Sequence, residues 1–160
     1  MNSETYVSSD GRYLGTFTGL PGPEGGKLVP TPPSDGRQIW NGTAWIWPEK
    51  NAAERRESIA ARRYQAEVAG ITFSGMPLAT DRDSQGLING AALSAYTDPS
   101  YVCRWKTSAG YVTLDAATLK AVAKAIRDHV QACFDREDEL TQAVEDGTYT
   151  DAMLEEGWPG

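Results

Sequence analysis

Glycine and proline are concentrated in one stretch of the chain, and this distribution constrains the fold more than any other feature. Of 25 such residues, 13 lie between Gly11 and Gly42. Segments of this composition bury little apolar surface and favour extended, polyproline-like backbone. The sequence therefore predicts that residues 19–37 form an extended linker, or an arm laid on a partner.

Short β-hairpins are expected on both sides of this stretch. Residues 1–18 contain two β-prone runs around an Asp10-Gly11 turn pair. Residues 38–48 hold three tryptophans around Asn41-Gly42, a pair that predicts a type I′ turn with positive φ at both residues. Two lone hairpins are marginal in water. They would need each other, the C-terminal part or another chain for stability.

Residues 49–160 predict an α+β domain in which three helices pack with short antiparallel hairpins. The predicted elements, in chain order, are a helix over 52–69, a hairpin over 71–79, a helix from Thr80 or Asp81 to before Asp98, a hairpin over 101–114, and a long helix from Asp115 to about Asp146. Asn51 with Glu54 forms a capping box for the first helix, and Gly147 ends the last. The fold class is thus α+β.

The long helix carries an apolar stripe with seven-residue spacing. Every seventh residue is apolar at Leu119, Ile126, Cys133 and Leu140, and a companion row four residues later holds Ala123, Val130, Glu137 and Val144. The predicted packing stripe consists of Leu119, Ile126, Val130, Cys133 and Leu140. Such spacing marks a buried face, on a sheet or on a partner helix. Glu137 interrupts the companion row, so packing inside the domain is favoured over a coiled coil.

Net charge and the distribution of apolar residues argue against several classes of function. The formal net charge is −7 and the pI about 4.7, which disfavours binding to nucleic acid phosphates. No apolar run approaches the length of a membrane span, and residues 1–4 lack the order of a secretion signal.

The charges are unevenly distributed along the chain. From Asp128 onward the sequence contains ten acids and one base, Arg136, whereas the first helix carries four arginines. These helices either lie together, within one chain or between subunits, or present solvated faces.

The sequence offers no set of catalytic or metal-binding residues. His129 and Cys133 are one helical turn apart, but two ligands do not make a metal site, so packing is favoured. The acidic run from Asp81 lacks the bidentate Glu of a calcium loop, because Ala92 holds that position. There is neither a phosphate-binding glycine loop nor a nucleophile elbow. We expect no enzyme activity, no cofactor, and Cys103 and Cys133 as reduced thiols.

Aromatic residues are the main candidates for a binding surface. Trp40, Trp45 and Trp47 lie within eight residues, where they could stack a sugar, anchor a protein interface or form the core of a small β module. With Tyr13 and Phe17 they are the predicted partner-binding residues.

Several strings from Arg55 onward follow the usage of a known family. The strings are Ile59–Ile71, Ala79–Gln85, Asn89–Ala92, Trp105–Thr107, Gly110–Asp115, His129–Phe134 and Gly157–Pro159. They resemble a phage-associated domain of unknown function, the DUF4376 family, and the resemblance covers about residues 55–160. The N-terminal turn and the Trp-Asn-Gly-Thr-Ala-Trp hairpin are similar to leading segments of fibre-associated tail proteins.

The resemblance implies a structural or assembly role, with no catalytic residues to assign. We expect a non-enzymatic tail-fibre-associated protein of the virion tail, assembled in the host cytoplasm, that binds a fibre or baseplate protein. One alternative is an assembly chaperone that is not retained in the virion. Another is a fibre-tip module that binds a host surface glycan. Self-association is left open, and neither nucleic acid nor membrane insertion is expected.

Overall fold

The structure is a computed structural model that describes residues 2–160. These residues form two units, one ending at Lys50 and the other spanning Asn51–Gly160. The first unit is entirely β and loop, and the second holds the helices. Together the elements make an α+β protein, as predicted.

A three-stranded antiparallel sheet forms most of the first unit. Its strands are β1 (Ser3–Val7), β2 (Tyr13–Thr18) and β3 (Lys27–Val29), in the order β2-β1-β3. Thr5, Val7 and Val29 are its buried residues, so the apolar core of this unit is small. A separate two-stranded ladder joins β4 (Ile39–Trp40) to β5 (Trp45–Ile46).

The segment expected to be a linker or arm, residues 19–37, is partly a strand. Within it β3 pairs antiparallel with β1, in the register Thr5 with Val29. Glycine makes the return path feasible, because a Cβ at Gly22 would lie 2.2 Å from the ring of Tyr6. The composition argument missed this pairing because the edge of β1 supplies hydrogen-bond partners that a lone Pro/Gly segment lacks.

The predicted type I′ turn at Asn41-Gly42 is wrong. Only Gly42 of the pair has a positive φ, +101°, and the connection between β4 and β5 is four residues long. The Asn41 side-chain oxygen instead accepts hydrogen bonds from the N–H groups of Thr43 and Ala44, at 2.9 and 2.8 Å. This side-chain closure replaces the second positive φ, a frequent use of Asn in turns.

Three α-helices are present in the described residues, all in the second unit. They are α1 (Ala52–Glu67), α2 (Arg82–Thr97) and α3 (Ala116–Glu145). Each begins at a side-chain cap, respectively Asn51, Asp81 and Asp115, which accepts from a backbone N–H three residues on. The capping box with Glu54 is formed, and α1 ends at Glu67.

Two hairpins separate the helices. The first pairs β6 (Ile71–Phe73) with β7 (Met76–Leu78), and the second pairs β8 (Val102–Thr107) with β9 (Gly110–Asp115). Both α1 and α2 pack against α3, and the hairpins add Leu78 and Leu114 to the largest apolar cluster. A short 3₁₀ turn at Asp151–Leu154 follows α3.

The segregated charges meet within the chain, along antiparallel α1 and α3. Arg56 near the start of α1 pairs with Glu145 near the end of α3 at 3.4 Å. Farther along, Arg63 reaches Glu137 at 3.2 Å. The tail after α3 continues the pattern, since Arg62 lies 3.9 Å from Glu155. Complementary charge therefore lies along one helix pair.

The tail after α3 packs where the C-terminal part of α3 meets α1. Tyr149 is buried, and Met153 and Trp158 pack against the cluster around Leu140. The Arg136 guanidinium donates to the carbonyl oxygen of Met153 at 3.0 Å. None of the helices described is both long and apolar enough to cross a bilayer.

Candidate functional site

Three of the predicted partner-binding residues form one aromatic cluster. The ring of Trp45 meets Trp40 at 5.5 Å and Tyr13 at 6.0 Å between centroids, both edge to face. The Trp45 indole N–H donates to the carbonyl oxygen of Thr31 at 2.8 Å. Each of the three rings is half-buried, so the cluster both stabilises the unit and reaches its surface.

Trp47 is the most accessible of the predicted aromatic residues, with 56 % of its surface exposed. The guanidinium of Arg37 lies 5.2 Å from the centre of its ring. That guanidinium is held by Asp35 through two hydrogen bonds of 2.9 and 2.8 Å, which lower the pKa of Asp35 to about 2. A tryptophan and an arginine are thus positioned side by side on the surface.

Phe17 lies apart from the tryptophan cluster. Its ring meets Tyr6 edge to face, with centroids 5.8 Å apart, on the paired strands β1 and β2. The Tyr6 hydroxyl donates to Glu4 at 2.7 Å, and this bond raises the pKa of Tyr6. The structure therefore divides the five predicted residues into a cluster of three, the exposed Trp47, and a separate ring pair.

The predicted stripe on the long helix is entirely buried in the second unit. Leu119, Ile126 and Val130 belong to the cluster shared with α2 and the hairpins, whereas Leu140 belongs to the cluster under the tail. Cys133 is fully buried as well. The stripe is a packing surface of the domain, with α1 and α2 on either side of α3.

His129 and Cys133 also act in packing. The His129 Nε2 atom is 3.1 Å from the carbonyl oxygen of Ala66 near the end of α1, and 3.9 Å from the Cys133 sulfur. Burial raises the pKa of the Cys133 thiol, which keeps the thiol protonated and poorly nucleophilic. Across residues 2–160, no group of three or more His, Cys, Asp and Glu side chains could hold a metal ion.

Sequence reasoning missed a buried polar cluster between α1 and α3. Arg63 bonds both Glu67 and Glu137 and lies 4.5 Å from the centre of the Phe134 ring. Glu67 is only 3 % exposed. Fully buried Thr80 accepts from the Gly70 N–H at 3.0 Å, which fixes the end of α1 to the start of α2. The spacing of four residues between Arg63 and Glu67 is visible in the sequence, but the contact with Glu137, 74 residues from Arg63, leaves no local pattern.

An open apolar cleft of about 600 Å³ lies in the second unit. Its walls come from the loop that follows α1, from both hairpins and from α2, and include Ile71, Leu78, Leu87 and Trp105. Leu87 is 67 % exposed at its edge. Sequence reasoning missed the cleft because four elements contribute to it and none shows it alone.

The fold and these surfaces define a two-part α+β protein with an aromatic β unit and a helical domain, and with binding surfaces as its candidate functional features. A family profile described as "Domain of unknown function (DUF4376)" matches residues 50–156, which is more than half of the chain. The chain belongs to the DUF4376 family. The match begins where the helical unit begins, next to Asn51. No curated protein and no solved structure matches the chain significantly.

Proposed function

We propose that this chain is a non-enzymatic, bacteriophage tail-fibre-associated structural or assembly protein. It binds a fibre or baseplate protein in the virion tail and is assembled in the host bacterial cytoplasm. The resemblance of residues 55–160 to a phage-associated family motivates the proposal.

The observation that carries the binding role is the aromatic surface of the first unit. Trp47 is more than half exposed beside Arg37, and Leu14 and Ile46 are exposed as well, at 43 % and 40 %. Tryptophan and arginine are enriched among the residues that contribute most to protein interfaces. Asp35 holds the Arg37 guanidinium that lies over the Trp47 ring, and fixing this pair in one arrangement reduces the entropy lost on binding.

Co-purification with the fibre and baseplate proteins of the phage that encodes the chain tests the role. Trp47→Ala should weaken binding by about tenfold or more, since it removes an exposed aromatic anchor. Tyr111→Ala is the matched control, because Tyr111 is 63 % exposed but lies in the other unit. Equal binding by both variants would exclude the aromatic surface, and no binding by the wild type would exclude the role.

Mass spectrometry of purified virions separates the two forms of the role. A permanent component is present in stoichiometric amounts, whereas an assembly chaperone is found in the infected cell and absent from the particle. Light scattering of the purified protein measures self-association, and a monomer would count against a trimeric fibre tip.

A further inference from the structure

A mixed polar and apolar cavity of about 410 Å³ lies in the first unit, apart from Trp47. It is lined by the turn at residues 8–11, by β3, and by Trp40 with the following Asn41-Gly42. Val7 and Val29, both buried, also line it. Its volume falls in the range of small-molecule sites in proteins, and its lining includes both apolar and polar side chains.

Close backbone contacts fix the two sides of this cavity relative to each other. The Trp40 N–H donates to the carbonyl oxygen of Gly11 at 2.8 Å, and Arg12 forms a β-bridge with Ile39. Gly11 has a φ of +84°, and a Cβ there would lie 2.2 Å from the Trp40 oxygen. Only glycine allows this approach, so the cavity is formed before any ligand arrives.

The polar groups around the cavity include both donors and an acceptor that the protein leaves available. Lys27 makes no ion pair with any described residue. The Asn41 side-chain oxygen is used within its turn, but its amide nitrogen has no acceptor in residues 2–160. Asp10 accepts from Ser8 and pairs with Arg12 at 3.0 Å. These bonds keep the carboxylate ionised, with further lone pairs to accept from a ligand.

This set of groups selects a ligand rich in hydroxyl groups. A hydroxyl both donates and accepts, so it can serve Asp10 as well as Lys27 and Asn41. Asp10, Lys27 and Asn41 are exposed and hydrated in the free protein, so a ligand that displaces this water must supply both donors and acceptors. A phosphate, which only accepts, cannot donate to Asp10, and an apolar molecule can neither donate nor accept. We propose that this cavity binds a saccharide through Asp10, Lys27 and Asn41, beside the apolar surface of Trp40.

The proposed site differs from a stacking surface made by the three tryptophans. Trp45 is engaged with its ring neighbours and with Thr31, and Trp47 lies under Arg37. Of the three, Trp40 lines the cavity. The saccharide site is therefore independent of the proposed protein-binding surface around Trp47, and each can be removed without the other.

Glycan-array screening of the full chain, followed by calorimetry with each bound oligosaccharide, tests the site. The wild type should bind, and Lys27→Ala and Asp10→Asn should each lower the affinity by about tenfold or more, because each removes a charged hydrogen-bond partner. Lys124→Ala is the control for Lys27→Ala, because it also removes one positive charge but on the surface of the second unit. It should leave the affinity for the saccharide within about twofold. Circular dichroism verifies that each variant is folded.

Trp47→Ala completes the test, since it should keep saccharide affinity while losing the protein partner. Lys27→Ala should lose saccharide affinity and keep the protein partner. If Asp10→Asn fails to fold, Lys27→Ala decides, because Lys27 makes no ion pair that its loss would break. The proposal is overturned if the wild type binds no saccharide, if Lys27→Ala binds as well as the wild type, or if Trp47→Ala alone abolishes saccharide binding.

Discussion

Replacing Arg63 by methionine should destabilise the helical unit far more than replacing Arg56 on the same helix. Methionine keeps an unbranched apolar stem but removes the guanidinium. The change leaves Glu67 buried without its cation and deprives Glu137 of a partner at 3.2 Å. It also removes the cation that lies 4.5 Å from the centre of the Phe134 ring.

The magnitude follows from the burial of the two charges. The side chain of Arg63 is 13 % exposed and that of Glu67 4 % exposed, so most of this pair is removed from water. Removing one partner of a buried ion pair costs about 3–5 kcal/mol, because an uncompensated charge remains. Glu137, at 23 % exposure, adds less. We expect Arg63→Met to lower the free energy of unfolding by about 3 kcal/mol or more.

Urea denaturation followed by circular dichroism at a helical wavelength measures this effect, because all three described helices belong to the second unit. Arg56→Met is the matched control on the same helix. The Arg56 and Glu145 side chains are 45 % and 52 % exposed, so its loss should cost about 1 kcal/mol at most. A double variant, Arg63→Met with Glu67→Leu, should recover part of the loss, since it removes both buried charges.

Equal destabilisation by Arg63→Met and Arg56→Met would refute this reasoning. So would a double variant less stable than Arg63→Met alone, because the cost would then come from lost packing and not from a stranded carboxylate.

Three further predictions follow from burial and local charge. Leu140→Ala, at a fully buried position, should cost about 3–5 kcal/mol of stability in the same denaturation assay, and Leu93→Ala, at 67 % exposure, about 0.5 kcal/mol or less; similar costs would contradict the packing assigned to α3. A thiol reagent should label half-buried Cys103 first and Cys133 only in denaturant, because Cys133 is buried and its thiol pKa is raised; simultaneous labelling in the native protein would contradict this. In an NMR titration the Asp35 carboxylate should have a pKa of about 2, because of its bonds to the neighbouring arginine. The stability that Asp35 contributes is therefore present above the pKa of the carboxyl in the unfolded chain and is lost as the pH falls toward 2. An ordinary pKa would show that these bonds are not populated.

Local chemistry explains why the helices could be placed from the sequence. Asn51, Asp81 and Asp115 each cap a helix through a backbone N–H three residues away. A cap of this kind depends on a handful of neighbouring residues, so the starts of α1, α2 and α3 are visible in the sequence. The apolar stripe of α3 is equally local, because helical periodicity alone brings its members onto one face.

The pairing of distant segments was decided only by the tertiary structure. Gly/Pro composition predicted an extended linker or an arm laid on a partner over residues 19–37, and the structure pairs β3, within this segment, with the edge of β1. The Asn41 side-chain oxygen closes its turn by accepting a hydrogen bond from the Thr43 N–H, which the Asn-Gly rule for type I′ turns does not describe.

Sequence by itself determined the α+β class, the family domain and the concentration of tryptophan in one hairpin. Tertiary structure decided that Arg63 packs against Glu67 and Glu137, that Trp47 is exposed while Trp45 contacts Trp40 and Tyr13, and that the apolar cleft and the mixed cavity form. The physical reason is the distance along the chain over which each interaction acts. Caps and periodicity act within a few residues, whereas burial and cavities depend on segments that meet only after the chain has folded.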